Sequence, residues 1–235
     1  MEGFTYSNIF ETKGIEYIII IFFLLILIPF WLIMNRKVRV SKQLHQAFDV
    51  LTAGVLKIPQ GLLFCKNHTW VHLEQTGRAK IGIDDFLQKI VGEIQFVPLK
   101  SLGEKVKKGD VLAEINQNGK RLKILSPVSG EIIEANIPEM NLGLAESDSY
   151  GENWLFSLKP ANWKTETSGF FLGEEATKWI SSELLKFKDF LSVSLAKHSY
   201  EASMVALQEG GELLINPLSG LQPEIWADFQ KEFLE

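Results

Sequence analysis

Ser126-Pro127-Val128-Ser129-Gly130-Glu131-Ile132-Ile133-Glu134-Ala135-Asn136 is the stretch that decides the fold of this 235-residue chain. Its Ser-Gly pair is a turn signal, and it is one of several. Gly109-Asp110 and Asn118-Gly119 punctuate the chain at short intervals, which marks short strands joined by tight turns. Further out, Ile81 and Ile83, then Ile94 and Phe96, alternate with other residues at a two-residue period, as half-buried strands do. Between those pairs, Asp84 is placed to cap a brief helix reaching about Val91, its carboxylate accepting from free amides of the first turn. Asn118-Gly119 is the best hairpin tip in the chain, because both residues tolerate the positive φ of a type I′ turn. These glycines are turn chemistry: neither G-x-x-x-x-G-K-[ST] nor G-x-G-x-x-G occurs.

The same region carries ordered stretches that belong together. Asn67-His68-Thr69-Trp70-Val71 comes first, then Ala79-Lys80-Ile81-Gly82-Ile83-Asp84-Asp85-Phe86 and Gly92-Glu93-Ile94. Leu102-Gly103-Glu104-Lys105-Val106 with Lys108-Gly109-Asp110 precedes the Ser126–Asn136 stretch. Tyr150-Gly151-Glu152-Asn153-Trp154-Leu155 and Leu158-Lys159-Pro160 close the run. Over roughly Leu62 to Trp163 the chain resembles the glycine cleavage H-protein family, an all-β lipoyl-type barrel-sandwich hybrid. The resemblance implies lipoate on a hairpin lysine, and work with glycine decarboxylase, aminomethyltransferase and dihydrolipoyl dehydrogenase. Counting back eight residues from Pro127, to where the family carries that lysine, lands on Gly119. Lys120 is displaced by one residue, and the family's glutamate three places earlier is Asn116, or Gln117 if Lys120 is used. On a strand such a shift turns a side chain to the other face, although a turn relaxes the constraint. Lys123 lies deeper in the predicted strand. The expectation is a scaffold without its arm and without a cofactor, lipoate on Lys120 being the alternative. Asn118, Gly119, Lys120 and Arg121 are then candidates for contact with a partner, Lys120-Arg121 suiting an acidic one.

Tyr17 to Met34, YIIIIFFLLILIPFWLIM, carries no formal charge. At ~1.5 Å per residue its eighteen residues approach a hydrocarbon core of ~30 Å. The expectation is one retained transmembrane helix with Tyr17 and Trp31 at the interfaces. Arg36, Lys37, Arg39 and Lys42 follow it, which by the positive-inside rule puts the N-terminus outside and the remainder in the cytoplasm, at the inner membrane. Residues 41–57, with Leu44, Phe48, Leu51 and Val55 at helical spacing, read as either a short amphipathic helix or a plain connector.

From Lys164 onward six lysines face twelve acidic residues, a local net charge of −6. Ala176, Trp179, Ile180, Glu183, Leu184, Phe187 and Leu191 recur at helical intervals after Gly173-Glu174-Glu175. Acidic residues in the first turn and Lys197 or His198 near the end complement the helix dipole. Gly210-Gly211 break the chain, and Pro223 starts a last helix with Ile225, Trp226, Phe229 and Phe233. Trp179, Phe187, Trp226 and Phe229 read either as core or as a partner-binding face. The acidic balance speaks against nucleic acid.

No catalytic constellation emerges. His68 and His72 would share a face of a strand, yet they lack the further ligands of a metal site. Cys65 is the single cysteine and, even with His68 nearby, no activating environment is visible. The reading is an α+β chain: 1–14 extracytoplasmic, 15–35 transmembrane, 36–61 a basic connector, 62–163 the β domain and 164–235 an acidic helical region. Its function is that of a non-enzymatic, membrane-tethered interaction or assembly component with a protein partner in a membrane or redox complex. The alternatives are a membrane-bound lipoyl carrier at Lys120 and a small-ligand sensor.

Overall fold

The computed structural model describes residues 9–35, 50–136, 150–151, 153–198 and 213–235. It divides into two units, Met1–Ala47 and Phe48–Glu235. In the first, helix α1 spans Ile9–Asn35 with Pro29 inside it. Its side chains from Tyr17 to Trp31 are exposed. Among the described residues no helix is long and apolar enough to cross a membrane. This corrects the single-pass anchor, the interfacial roles of Tyr17 and Trp31, and the inner-membrane location built on them. Arg36, Lys37, Arg39, Lys42 and Leu44 lie outside the described residues.

In the second unit Val50 bridges to Leu214. Residues 50–57 are turns rather than a helix, so the amphipathic reading of 41–57 fails over its described part. Ten short strands follow: β1 Leu63–Phe64, β2 Thr69–Leu73, β3 Ala79–Ile83, β4 Gln95–Pro98, β5 Lys105–Val106, β6 Val111–Gln117, β7 Lys120–Leu125, β8 Gly130–Ala135, β9 Phe156–Pro160 and β10 Phe171–Leu172. Helix α2, Asp85–Val91, sits between β3 and β4, and α3, Trp163–Glu166, between β9 and β10. Helix α4 runs from Glu174 to His198 and α5 from Pro223 to Phe229, continuing as a π-turn over Gln230–Leu234. One sheet has the order β10-β1-β2-β3-β9-β8-β5, the other β4-β6-β7.

The deciding stretch shows why its residues are what they are. Ser126 is buried and donates to Val128 O at 2.6 Å, which fixes the turn into β8. Ser129 N and Oγ both donate to the Glu166 carboxylate at 2.6 Å, so α3 holds the loop from outside. Gly130 pairs with Pro160, and a Cβ there would stand 2.5 Å from Lys159 O. Only glycine lets β8 and β9 approach that closely. Asp84 caps α2 as its position predicts: its Oδ1 accepts from Leu87 N at 2.8 Å.

The C-terminal helices share the core of the β module. Trp70 and Phe156 from the strands, Phe86 from α2, Phe187 from α4 and Trp226 and Phe229 from α5 are all buried in one hydrophobic cluster. Phe187 meets Phe86 edge-on at 5.9 Å and Phe229 at 5.7 Å. Full burial of a Phe side chain contributes about 1.5–3 kcal/mol. That gain explains why the apolar stripe turns inward. Backbone bonds add register, Asn216 N donating to Lys89 O at 2.7 Å and Leu218 N to Ile90 O at 3.1 Å.

Candidate functional site

The β6–β7 hairpin is built as the sequence requires. Gln117 pairs with Lys120 across the turn, and Asn118 and Gly119 take φ of 51° and 83°. Both turn residues are exposed, and space is open around Gly119. Gln117 ties the arm to α2, its Nε2 donating to Val91 O at 2.8 Å and to Glu93 O at 2.7 Å.

Lys120 does not project from this tip. It opens β7 facing the C-terminal segment, with 9% of its surface exposed. Its Nζ donates to Ser219 O at 2.5 Å and Leu221 O at 3.3 Å, and sits 4.8 Å from the centre of the Trp226 ring. Burial lowers its pKa from the ordinary lysine value. The next residue, Arg121, is exposed and reaches Glu114 at 3.7 Å. Lys123 is exposed, while its backbone N donates to Gln230 Oε1 at 2.7 Å and its O accepts from Gln230 Nε2 at 3.4 Å. The glutamine amide thus serves the free edge of β7 as a neighbouring strand would. This covers an otherwise open template for pairing.

A second polar cluster lies where α4 meets the β module. His68 precedes β2 with φ of 56° and is fully buried. Its Nδ1 is 2.8 Å from Asp84 Oδ2, and its Nε2 is 3.8 Å from Glu183 Oε2 on α4. The ring stacks with Phe86 at 4.4 Å and with Trp179 at 5.2 Å. Burial opposes protonation, but the two carboxylates outweigh it and raise the imidazole to about 9. His72, by contrast, is exposed at the far end of β2, so the two histidines do not converge. Among the described residues no group of three or more His, Cys, Asp or Glu could hold a metal ion. Burial raises the Cys65 thiol, and both nitrogens of His68 face carboxylates instead.

The structure therefore sorts the candidate residues into two sets. Asn118, Gly119 and Arg121 stay on the surface, whereas Lys120, Trp179, Phe187, Trp226 and Phe229 are buried. Sequence reasoning missed the Asp84–His68–Glu183 line. Its only sign was Trp179 and Glu183 at an i, i+4 spacing, which puts both on one face of α4.

The family model of the glycine cleavage H-protein matches residues 62–183. The chain is similar to a probable glycine cleavage system H protein of Thermococcus gammatolerans, 36% identical over 134 residues, covering 57% of this chain and 99% of that one. It is similar to the glycine cleavage system H protein of Paraburkholderia xenovorans, 40% identical over 107 residues, covering 45% and 84%. A crystal structure of a glycine cleavage system H protein from Mycobacterium marinum aligns at 25% identity and a TM-score of 0.42, covering 50% of this chain and 94% of that one.

Proposed function

The chain belongs to the glycine cleavage H-protein family, and we propose that it works as a non-catalytic binding module of that fold whose hairpin bears no lipoyl arm. The observation that carries this is the Lys120 amine. It is held by Ser219 O, Leu221 O and the Trp226 ring, and so is not free to bear a mobile group. A swinging arm needs an amine at an exposed tip, where a ligase can reach it, and the tip residues are Asn118 and Gly119. These residues do not fit lipoate. What remains for recognition is the exposed tip, Asn118-Gly119, with Arg121 beside it. Its partner in this reading is a protein, and the relatives' names make components of a glycine cleavage system the first to try.

Intact mass of the full-length protein, with peptide mapping across Asn116–Lys123, tests the absence of the arm. The host must keep its own lipoylation enzymes. Unmodified Lys120 is the expected result; a lipoyl adduct on it overturns the reading and restores a carrier.

A further inference from the structure

We propose that His68 is a buried imidazolium that locks helix α4 onto the β module, with Glu183 as the counter-charge that α4 brings. This stands independently of whether the hairpin carries an arm. The geometry leaves the ring little choice. A neutral imidazole offers one N–H and one lone pair. If Nδ1–H donates to Asp84 Oδ2 at 2.8 Å, the bare Nε2 lone pair faces the Glu183 carboxylate at 3.8 Å, two acceptors opposed in a buried place. In the other tautomer a lone pair faces Asp84 at 2.8 Å, which is worse. The doubly protonated ring presents a donor to Asp84 and a positive charge to Glu183, which Nε2 meets at 3.8 Å without a hydrogen bond.

The faces agree with the edges. Phe86 and Trp179 lie at 22° and 26° to the ring plane, so the ring stacks on two π systems, whose negative faces favour a cation. Helix α4 supplies one wall, Trp179, and one charge, Glu183, while the β module supplies Phe86 and Asp84. The cage closes only when α4 is docked.

Other charged groups at this seam are accounted for. Burial pushes the Glu183 carboxyl up, but His68 and then Lys186 hold it below its usual value, and Lys186 reaches Glu232 Oε1 of the π-turn at 3.1 Å. Asp85 accepts from Lys57 N at 2.9 Å and lies 4.0 Å from Lys89. Asp84 spends its other oxygen on the α2 cap, so Oδ2 is the one committed to His68. The His68 contribution is complete below pH 6.5, where the unfolded chain is protonated too, and is lost as pH rises through about 9.

The test is an NMR titration of the full-length protein labelled with 15N-histidine, from pH 5.5 to 10. Both His68 ring nitrogens are expected in the imidazolium range at pH 7.5. In Glu183→Gln the His68 midpoint is expected to fall by at least one pH unit, a tenfold loss of proton affinity. Amide exchange along α4 should quicken at least tenfold in that variant. A neutral His68 in the wild-type chain at pH 7.5 overturns the proposal, and this needs no variant to fold. So does a Glu183→Gln protein whose midpoint and α4 exchange are both unchanged.

Discussion

His68 and Lys120 are both cationic side chains withdrawn from water at the seam between the β module and the C-terminal helices, yet their pKa values move in opposite directions. His68 is 0% exposed and holds its proton up to about 9. Lys120 is 9% exposed and gives up its proton more readily than an ordinary lysine. Desolvation penalises the charge in both. The difference lies in what replaces water. His68 has a carboxylate at each nitrogen, whereas Lys120 has two neutral carbonyls and an indole ring, and among the described residues makes no ion pair. Counter-charge, not depth, sets the sign.

The largest way to break this comparison is His68→Leu. The variant keeps an apolar filler but leaves Asp84 and Glu183 facing each other without a cation. Removing one partner of a buried ion pair costs about 3–5 kcal/mol. Urea unfolding at pH 7 should register a loss of that size; a loss under about 1 kcal/mol would mean that the ring is merely packing. The pH profile comes next. With the folded value at about 9 against 6.5 unfolded, His68 contributes up to about 3 kcal/mol below pH 6.5, lost as pH rises to 9. Lys120 has the opposite sign: its folded pKa is depressed, so its penalty is relieved as pH climbs towards 10.5. Wild-type unfolding free energy should fall between pH 6.5 and 9, and His68→Leu should flatten that limb.

Lys120→Met tests the other member. The stem and its packing on Trp226 survive, but Ser219 O and Leu221 O lose their donor. A buried polar group left without a partner costs about 1–3 kcal/mol. The loss should appear as faster amide exchange over residues 213–235, with the His68 titration unmoved. A shift in His68 would show that the two cations are one coupled network. Below that in size comes Gln230→Ala, which strips two hydrogen bonds from the edge of β7 and should cost about 1 kcal/mol in urea unfolding.

How far the sequence could be read depended on the range of the interaction. The Asn118-Gly119 turn and the Asp84 cap were legible because each is settled within a few residues by φ preference or by a carboxylate meeting nearby amides. The start of α5 at Pro223 was legible for the same reason. The fate of Lys120 was not. Its partners lie about a hundred residues later, at Ser219 and Leu221, and carbonyl acceptors leave no side-chain signature. The aromatic stripe of α4 and α5 allowed two answers, because periodicity tells which residues share a face but not what covers it. Tyr17–Met34 misled in the other direction: an apolar run suggested a span that no described helix provides.

A third histidine sharpens the comparison, because it repeats the His68 geometry without the burial. His198 Nε2 is 2.9 Å from Asp228 Oδ2, nearly the 2.8 Å that separates His68 from Asp84, and Lys197 reaches the same oxygen at 2.9 Å. The pair joins the end of α4 to α5 at the surface, where water screens what the core concentrates. Asp228 is held below the usual carboxylate range by His198 first and Lys197 second, so any stability it adds is present above pH 3.8 and lost as pH falls below. Exposed pairs of this kind contribute about 0–1 kcal/mol. Asp228→Asn should therefore change the urea midpoint at pH 7 by an amount equivalent to less than about 1 kcal/mol, and 0.5 M salt should remove most of it. The same salt should leave the cost of His68→Leu almost untouched. If both respond alike to salt, the His68 cage is wet, and its distance from Asp84 is no guide to its strength.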